Sequence, residues 1–456
     1  MLKRNEEFIG LVEKVNFPDR GIVIIDDTPI EVKGTLEGQK IKARVSKKRR
    51  GNRKCKGRLI EVIEKAPNEI EPFCQYFGPN KCGGCAIQNL SYEDQLAKKE
   101  KQVRDLFAKA NITDCKWEPI KSSPELYGYR NKMEFSFGDE VKDGPLALGL
   151  HRKGGMYDIV TVDGCHIADE DFSKILRYVL DYCTEAGLNF YHKMKREGYL
   201  RYLLIRKSKA SGEILVNLVT TSQLDYDWNE LARGLQELDL SGHVSGFIHT
   251  KSDTLSDAVK PEEEELIYGK DFITEEVLGL KFKISPYSFF QTNSKGAEVL
   301  YNTVLEMAGD INEKTVFDLY SGTGTIAQIM ASKAKKVYGI EIVEEAVEAA
   351  KENAKLNKLD NCYFIAGDVL KKVDELDEKP DLIVIDPPRE GIHPKAINKI
   401  IDFGAPEMVY VSCQPVSLVR DLQVMMEAGY RVKKVQCVDM FVHTNHVECV
   451  VLIERE

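Results

Sequence analysis

The 456-residue sequence predicts an α/β and β multidomain protein: an N-terminal barrel of the OB type, a central α+β region and a C-terminal doubly wound α/β sheet. Three observations predict it. Residues 8–66 hold short Val/Ile-rich runs in alternating apolar and polar order, separated by turn residues. Residues 67–285 mix strand-like runs with two clear helical stretches. From about Pro286 strands alternate with helices of roughly 10–15 residues, the pattern of a parallel sheet joined by crossover helices.

In the first region (1–66), FIGLVEKVN, GIVIIDD, IEVKG, KIKARVSK and KGRLIEVIE read as strands, with turns at Pro18–Gly21 and Gly34–Gly38. Five strands in so short a span suggest a closed barrel, which leaves no open edge. Lys65-Ala66-Pro67 marks the boundary. The second region (67–285) has a helix from about Tyr92 to Ala110, another near Asp169–Gly187, and strands KMEFSFG, LALGLHR, DIVTVDGC, LRYLLIRK, EILVNLVT and VSGFIHT, read as antiparallel. The third (286–456) runs through TVFDLY, VYGIEI, CYFIAGD, DLIVIDPP, MVYVSC and the closing strands.

Composition excludes several classes. With 43% hydrophobic and 30% charged residues the chain is globular rather than disordered. No apolar run approaches the roughly 18 residues that span a bilayer. The start, MLKRNEEF, lacks the apolar core of a secretory signal, so the expected location is the cytoplasm. The net charge is −9, yet residues 1–66 carry 17 basic and 10 acidic side chains. Lys42–Arg58 contains ten basic residues and no acid, which suggests a polyanionic partner contacted by Lys47, Lys48, Arg49 and Arg50. Eleven cysteines in a reducing compartment point to metal or catalysis rather than disulfides, and three cluster at Cys74, Cys82 and Cys85.

The chemistry concentrates at strand ends of the third region. Asp318-Leu-Tyr-Ser-Gly322-Thr-Gly324-Thr325-Ile-Ala327 is a glycine turn after a strand, and the next strand ends at Glu341, placed to accept both hydroxyls of a ribose. That turn alone is equally open to NAD, FAD or S-adenosylmethionine. Asp368 ends the following strand, and DLIVI leads into Asp386-Pro387-Pro388-Arg389, which fits a methyltransferase pocket facing a planar base. Ser412-Cys413-Gln414-Pro415 then sets a thiol at the ligand-binding edge, and His446 and Glu448 share a face of the closing strand. A thiol nucleophile with a nearby carboxylate is what C5 methylation of a pyrimidine requires: attack at C6 makes C5 nucleophilic, and a base must later remove the C5 proton. Cys413 is read as the nucleophile and Glu448 as the base, acting on a uracil drawn out of its stack. His443 and His446 are read as structural, holding the terminal loop and orienting Glu448.

DLYSGTGTIA, DPPREG, SCQP and HTNHVE together make the chain resemble the RNA uracil-C5 methyltransferases, and within them the 23S ribosomal RNA enzymes, over essentially its whole length. The resemblance implies that the barrel is a TRAM domain, that Cys413 and Glu448 have the roles just given, and that Gln291, Tyr320, Gly322, Gly324, Thr325, Glu341, Asp368 and Asp386 contact S-adenosylmethionine. It further implies a [4Fe-4S] cluster on Cys74, Cys82, Cys85 and Cys165; spacing alone is equally compatible with zinc. The first gap is Cys-x7-Cys, where the family has Cys-x5-Cys. Arg130 and Lys132, with Lys193–Arg196, Tyr199, Arg201 and Tyr202, are read as lining the RNA path. The expected partner is a loop uridine of 23S RNA bound by a monomer, and some Gram-positive members modify two such sites. A tRNA enzyme, expected to lack barrel and cluster cysteines, and a silent RNA-binding assembly factor are the rivals.

Overall fold

The computed structural model describes residues 3–48, 55–155, 158–256, 259–372 and 378–456. Five strands open the chain: β1 (Glu7–Asn16), β2 (Arg20–Ile25), β3 (Thr28–Lys33), β4 (Lys40–Lys48) and β5 (Cys55–Glu64). They close into a barrel of order β1-β2-β3-β5-β4. The alternation that marked them as strands fills the interior, where Val12, Val23, Val32, Ile41 and Ala43 are fully buried. Lys47 and Lys48 end β4, and Arg49 and Arg50 lie outside the described residues.

The cysteine-bearing stretch 66–91 has no helix or extended strand, only isolated bridges such as Cys82 to Arg152. Helix α1 (Tyr92–Lys109) follows, its N-terminus capped by Ser91 Oγ, which accepts from Asp94 N at 3.1 Å. It holds the barrel through Gln102, whose amide donates to Val15 O at 3.0 Å. Strand β6 (Lys116–Lys121) then joins the outer edge of the third region's sheet, parallel to a strand more than 300 residues later.

The central sheet contains β7 (Lys132–Asp139), β8 (Leu146–His151), β9 (Ile159–Thr161), β10 (Leu200–Lys207), β11 (Glu213–Thr220), β12 (His243–Lys251) and β13 (Glu263–Gly269), in the order β13-β12-β11-β10-β7-β8-β9. Helix α2 (Glu170–Glu185) packs on one face with α3 (Asn229–Glu237). One sequence expectation fails here: β11 and β12 are parallel, because α3 forms a crossover between them and returns the chain to its starting end. β10 and β11 are buried along their whole length, since the opposite face meets the third region through Leu215 and Ile248.

A hairpin of β14 (Ile273–Val277) and β15 (Leu280–Ile284) and helix α4 (Ser294–Ala308) lead into the third region. Its chain then alternates β16 (Thr315–Leu319), α5 (Thr325–Ala331), β17 (Lys336–Glu341), α6 (Glu344–Leu356), β18 (Cys362–Ala366), α7 (Val369–Lys372), β19 (Leu382–Ile385), α8 (Pro394–Asp402), β20 (Glu407–Ser412) and α9 (Pro415–Glu427). Two long strands, β21 (Tyr430–Val438) and β22 (Glu448–Arg455), complete it. The sheet order is β18-β17-β16-β19-β20-β22-β21-β6, with β22 antiparallel to both neighbours. The strand order turns back between β16 and β19, and such a switch point is where doubly wound sheets bind ligands. Among the described residues no helix is long and apolar enough to cross a membrane.

Candidate active site

At that switch point a cleft of about 1230 Å³ opens above the strand ends, lined by residues from the ends of β16, β17, β19 and β20 and the start of β22. The turn after β16 is built by backbone conformation. Tyr320, Gly322 and Gly324 all take positive φ, +65°, +54° and +74°. Glycine adopts this region freely; Tyr320 adopts it at a cost of roughly 1–2 kcal/mol, the kind of local strain that collects at binding sites. The two glycines differ in use. A Cβ on Gly322 would meet nothing within 4 Å, so bare backbone faces the cleft. A Cβ on Gly324 would lie 2.5 Å from the Phe364 ring, so this glycine lets α5 close onto the sheet and does not line the cleft.

Glu341 ends β17 with its carboxylate oriented by three amides: Gly322 N donates to Oε2 at 3.0 Å, and Ile342 N and Val343 N donate to Oε1 at 2.8 and 3.0 Å. Asp318, at the end of β16, is fully buried, and both its oxygens lack a hydrogen-bond partner among the described residues. Burial, then the neighbouring Asp386, pushes its carboxyl well above the usual range. Gln291, Tyr320 and Thr325 also line the cleft; Asp368 does not, although its charge and burial together push the Tyr320 hydroxyl up, to about 12.

At the other end, Ser412 of β20 pairs with Cys449 of β22, so the next step along each strand sets Cys413 across from Glu448. Both line the cleft with Asp386 and Arg389. The buried Glu448 carboxyl is pushed up to about 8 by burial first and Asp386 second, against the pull of Arg389. Asp386 keeps some surface on the cleft, yet the protein packed around it raises its carboxyl to about 7. Burial and the two carboxylates push the Cys413 thiol up to about 11, and Arg389 alone pulls it down. Arg389, in plain view within DPPREG, was given no role at the sequence level. Nor were Asp318, Tyr301 and Phe289, whose side chains complete the walls.

Fold and site now stand beside those of known proteins. The model of the tRNA (uracil-5-)-methyltransferase family matches residues 91–456. The chain belongs to this family. Its members are class I, S-adenosylmethionine-dependent uracil-C5 RNA methyltransferases. An uncharacterized RNA methyltransferase of Caldanaerobacter subterraneus subsp. tengcongensis is 50% identical over 444 residues, 97% of this chain and 98% of that protein. One from Clostridium tetani is 50% identical over 455 residues, 100% and 99% of the two chains. The crystal structure of the Pyrococcus abyssi tRNA (uracil-54, C5)-methyltransferase with S-adenosyl-L-homocysteine superposes with a TM-score of 0.77 at 26% identity, covering 98% of this chain and 100% of that one. That coverage reaches the N-terminal barrel. The expectation that a tRNA enzyme lacks the barrel is therefore overturned, and the barrel does not separate RNA classes within the family.

Away from the cleft, Cys74, Cys82, Cys85 and Cys165 face one small hollow as free thiols. Among the described residues no three His, Cys, Asp or Glu side chains are gathered so as to hold a metal ion. Burial, and then the nearby thiols, pushes Cys82 up to about 11 and Cys85 to about 12. Arg130 lies 5.5 Å over the ring of Phe441, which lines the cleft, and Lys132 starts β7 beside Arg206. Three expected RNA contacts are not at the surface. Tyr199 stacks on Trp228, Arg201 donates to the carbonyls of Ser252 and Thr254, and Tyr202 is buried beside it, because β10 is a central strand covered on both faces. His446 is exposed, edge-on to Phe441, whereas His443 is buried.

Proposed function

We propose that the protein transfers a methyl group to C5 of a uridine in 23S ribosomal RNA, with Cys413 as nucleophile and Glu448 as base. The single observation that carries the reading is the β20–β22 register, which sets a thiol opposite a carboxyl at the rim of the cleft. When bound, S-adenosylmethionine supplies an electrophilic methyl group. Glu341 would accept its ribose hydroxyls, Asp318 would meet its ammonium group with the two oxygens that lack partners, and bare backbone at Gly322 would admit its methionine part. Gln291, Tyr320, Thr325 and Asp386 would complete that contact, with Asp368 behind Tyr320.

Cys413 gives its proton to solvent and attacks C6, forming a C–S bond while the C5=C6 electrons move onto the C5–C4–O4 system as an enolate. Arg389 favours the thiolate. Carbon C5 then takes the methyl group, and the bond electrons leave with the departing sulfur. Glu448 removes the C5 proton; the C–H electrons rebuild C5=C6 and the C–S bond breaks, returning the thiolate. Only the ionised form of Glu448 can take this proton, so with its carboxyl raised to about 8 the release step should speed up as pH rises toward that value.

The four cysteine thiols line one hollow, a set of soft sulfur donors of the kind that holds iron–sulfur or zinc. We assign them a [4Fe-4S] cluster, which supplies a cross-link for a segment without regular structure. This cysteine set favours ribosomal RNA, while the likeness to the Pyrococcus abyssi enzyme favours tRNA. Labelled S-adenosylmethionine offered in parallel to unmodified 23S RNA fragments and to tRNA, with nucleoside mass spectrometry, decides between them. 5-Methyluridine in 23S RNA alone is expected; label in tRNA alone overturns the substrate, and 5-methylcytidine overturns the mechanism.

A further inference from the structure

Between β21 and β22 the chain forms a loop, 439–447, whose two ends both reach the cleft, through Phe441 and Glu448. Other parts of the molecule hold it almost residue by residue. Lys99 of α1 forms a fully buried ion pair with Asp439 at 2.6 Å and donates to Phe441 O at 3.1 Å. Asn293 donates to Met440 O at 2.9 Å, and Tyr129 to Val442 O at 2.9 Å. The densest knot is at His443. Its backbone N donates to Gln95 Oε1 at 3.0 Å, while Gln95 Nε2 approaches its ring Nδ1 at 3.1 Å. The carbonyl of His443 accepts from Ala86 N at 2.8 Å and Ile87 N at 3.1 Å, immediately after Cys85. The ring packs against Phe73 on the other side of Cys74.

The chemistry of this knot is specific. Gln95 also donates to Leu90 O, which fixes its amide the right way round, so His443 Nδ1 must accept and the ring is neutral. Burial accordingly holds the imidazole down, near 4. His443 takes φ +66°, a left-handed conformation uncommon outside glycine though less so for His than for most residues, held here by its partners. From it, a compact turn in which Thr444 Oγ1 accepts from His446 N leads to Glu448.

We propose that His443 is a positioning residue: clamped between Gln95 and the backbone beside Cys85, it transmits the order of the cysteine-bearing segment to Glu448, and so governs release of the methylated base. The inference rests on Glu448 being the base, and it makes a kinetic claim that a general loss of stability does not. A misplaced Glu448 leaves attack and methyl transfer intact and blocks only the removal of the C5 proton, so the RNA stays bonded to Cys413.

The test uses the full-length enzyme with S-adenosylmethionine and unmodified 23S RNA and tRNA, reading denaturant-stable protein–RNA adduct, 5-methyluridine release and thermal melting. Glu448→Gln is the reference and should accumulate adduct. Gln95→Met, similar in shape but without its polar atoms, should slow release by on the order of 10²-fold and accumulate adduct with a melting temperature near the parent's. Cys85→Ala should accumulate adduct too. His443→Asn, which tolerates positive φ and can accept from Gln95, should release faster than His443→Ala. If Gln95→Met fails to fold, the two His443 variants decide. Equal release in Asn and Ala variants, or a folded Gln95→Met that turns over without adduct, overturns the inference. A folded Cys85→Ala that releases normally overturns the link to the cysteine segment. Free turnover by Glu448→Gln would instead overturn the assignment of the base.

Discussion

The cleft and the cysteine hollow bury the same functional group in opposite surroundings. At Cys413 the thiol is pushed up by burial and two carboxylates, but Arg389 pulls against them. At Cys85 and Cys82 burial acts first and neighbouring thiols add to it, while Arg130 pulls on Cys165 of the same hollow. The first setting can release a thiolate to a substrate; the second gains most when a cation occupies its centre. Burial is the largest cause at all three thiols; what differs between the two places is the charge around them.

The largest expected effect tests the first half of that contrast. Cys413→Ala should lower methyl transfer by roughly four or more orders of magnitude while gel-shift binding of RNA persists. Turnover surviving in that variant would remove Cys413 from the reaction. Arg389→Met should cost on the order of 10²-fold and move the rise of rate with pH to more alkaline values, which alkylation of Cys413 by iodoacetamide across pH would report directly. In the hollow, Cys85→Ser should lower the melting temperature by several degrees.

Proton linkage sharpens the comparison further. Glu448 and Asp386 have carboxyls raised to about 8 and about 7, so between pH 5 and pH 8 the folded protein keeps protons that the unfolded chain has released. Stability should therefore fall as pH rises through this window, and Glu448→Gln should flatten the fall in melting temperature. The smallest effect concerns packing. Gly324→Ala, with its Cβ against Phe364, should destabilise by roughly 1–3 kcal/mol in urea unfolding.

What could be read from sequence follows the same division. Strand ends carry their chemistry in short runs, so the glycine turn, Glu341, DPPREG and SCQP were legible and meet in one cleft. The barrel was legible because alternation is a local signal. Long-range pairing was not. Nothing local in Lys116–Lys121 says that it completes a sheet begun two hundred residues later. The parallel pairing of β11 and β12 depends on a short helix that periodicity did not single out. Tyr199 and Arg201 look like surface residues in sequence, yet Tyr199 is buried just before β10 and Arg201 lies within it, where it satisfies its donors with carbonyls. The role of Arg389 needed the third dimension, since what matters is its nearness to Cys413.

The position of β22 has a consequence for synthesis. It follows β21 in the chain but lies between β20 and β21, and β6, which borders β21, is made far earlier. As the polypeptide emerges from the ribosome, the cofactor half of the cleft can assemble while the gap beside β20 is still empty. Glu448, the proposed base, arrives with the strand that fills the gap. A nascent chain stalled before Glu448 would thus hold the thiol without its partner, able to seize an RNA base and unable to let it go.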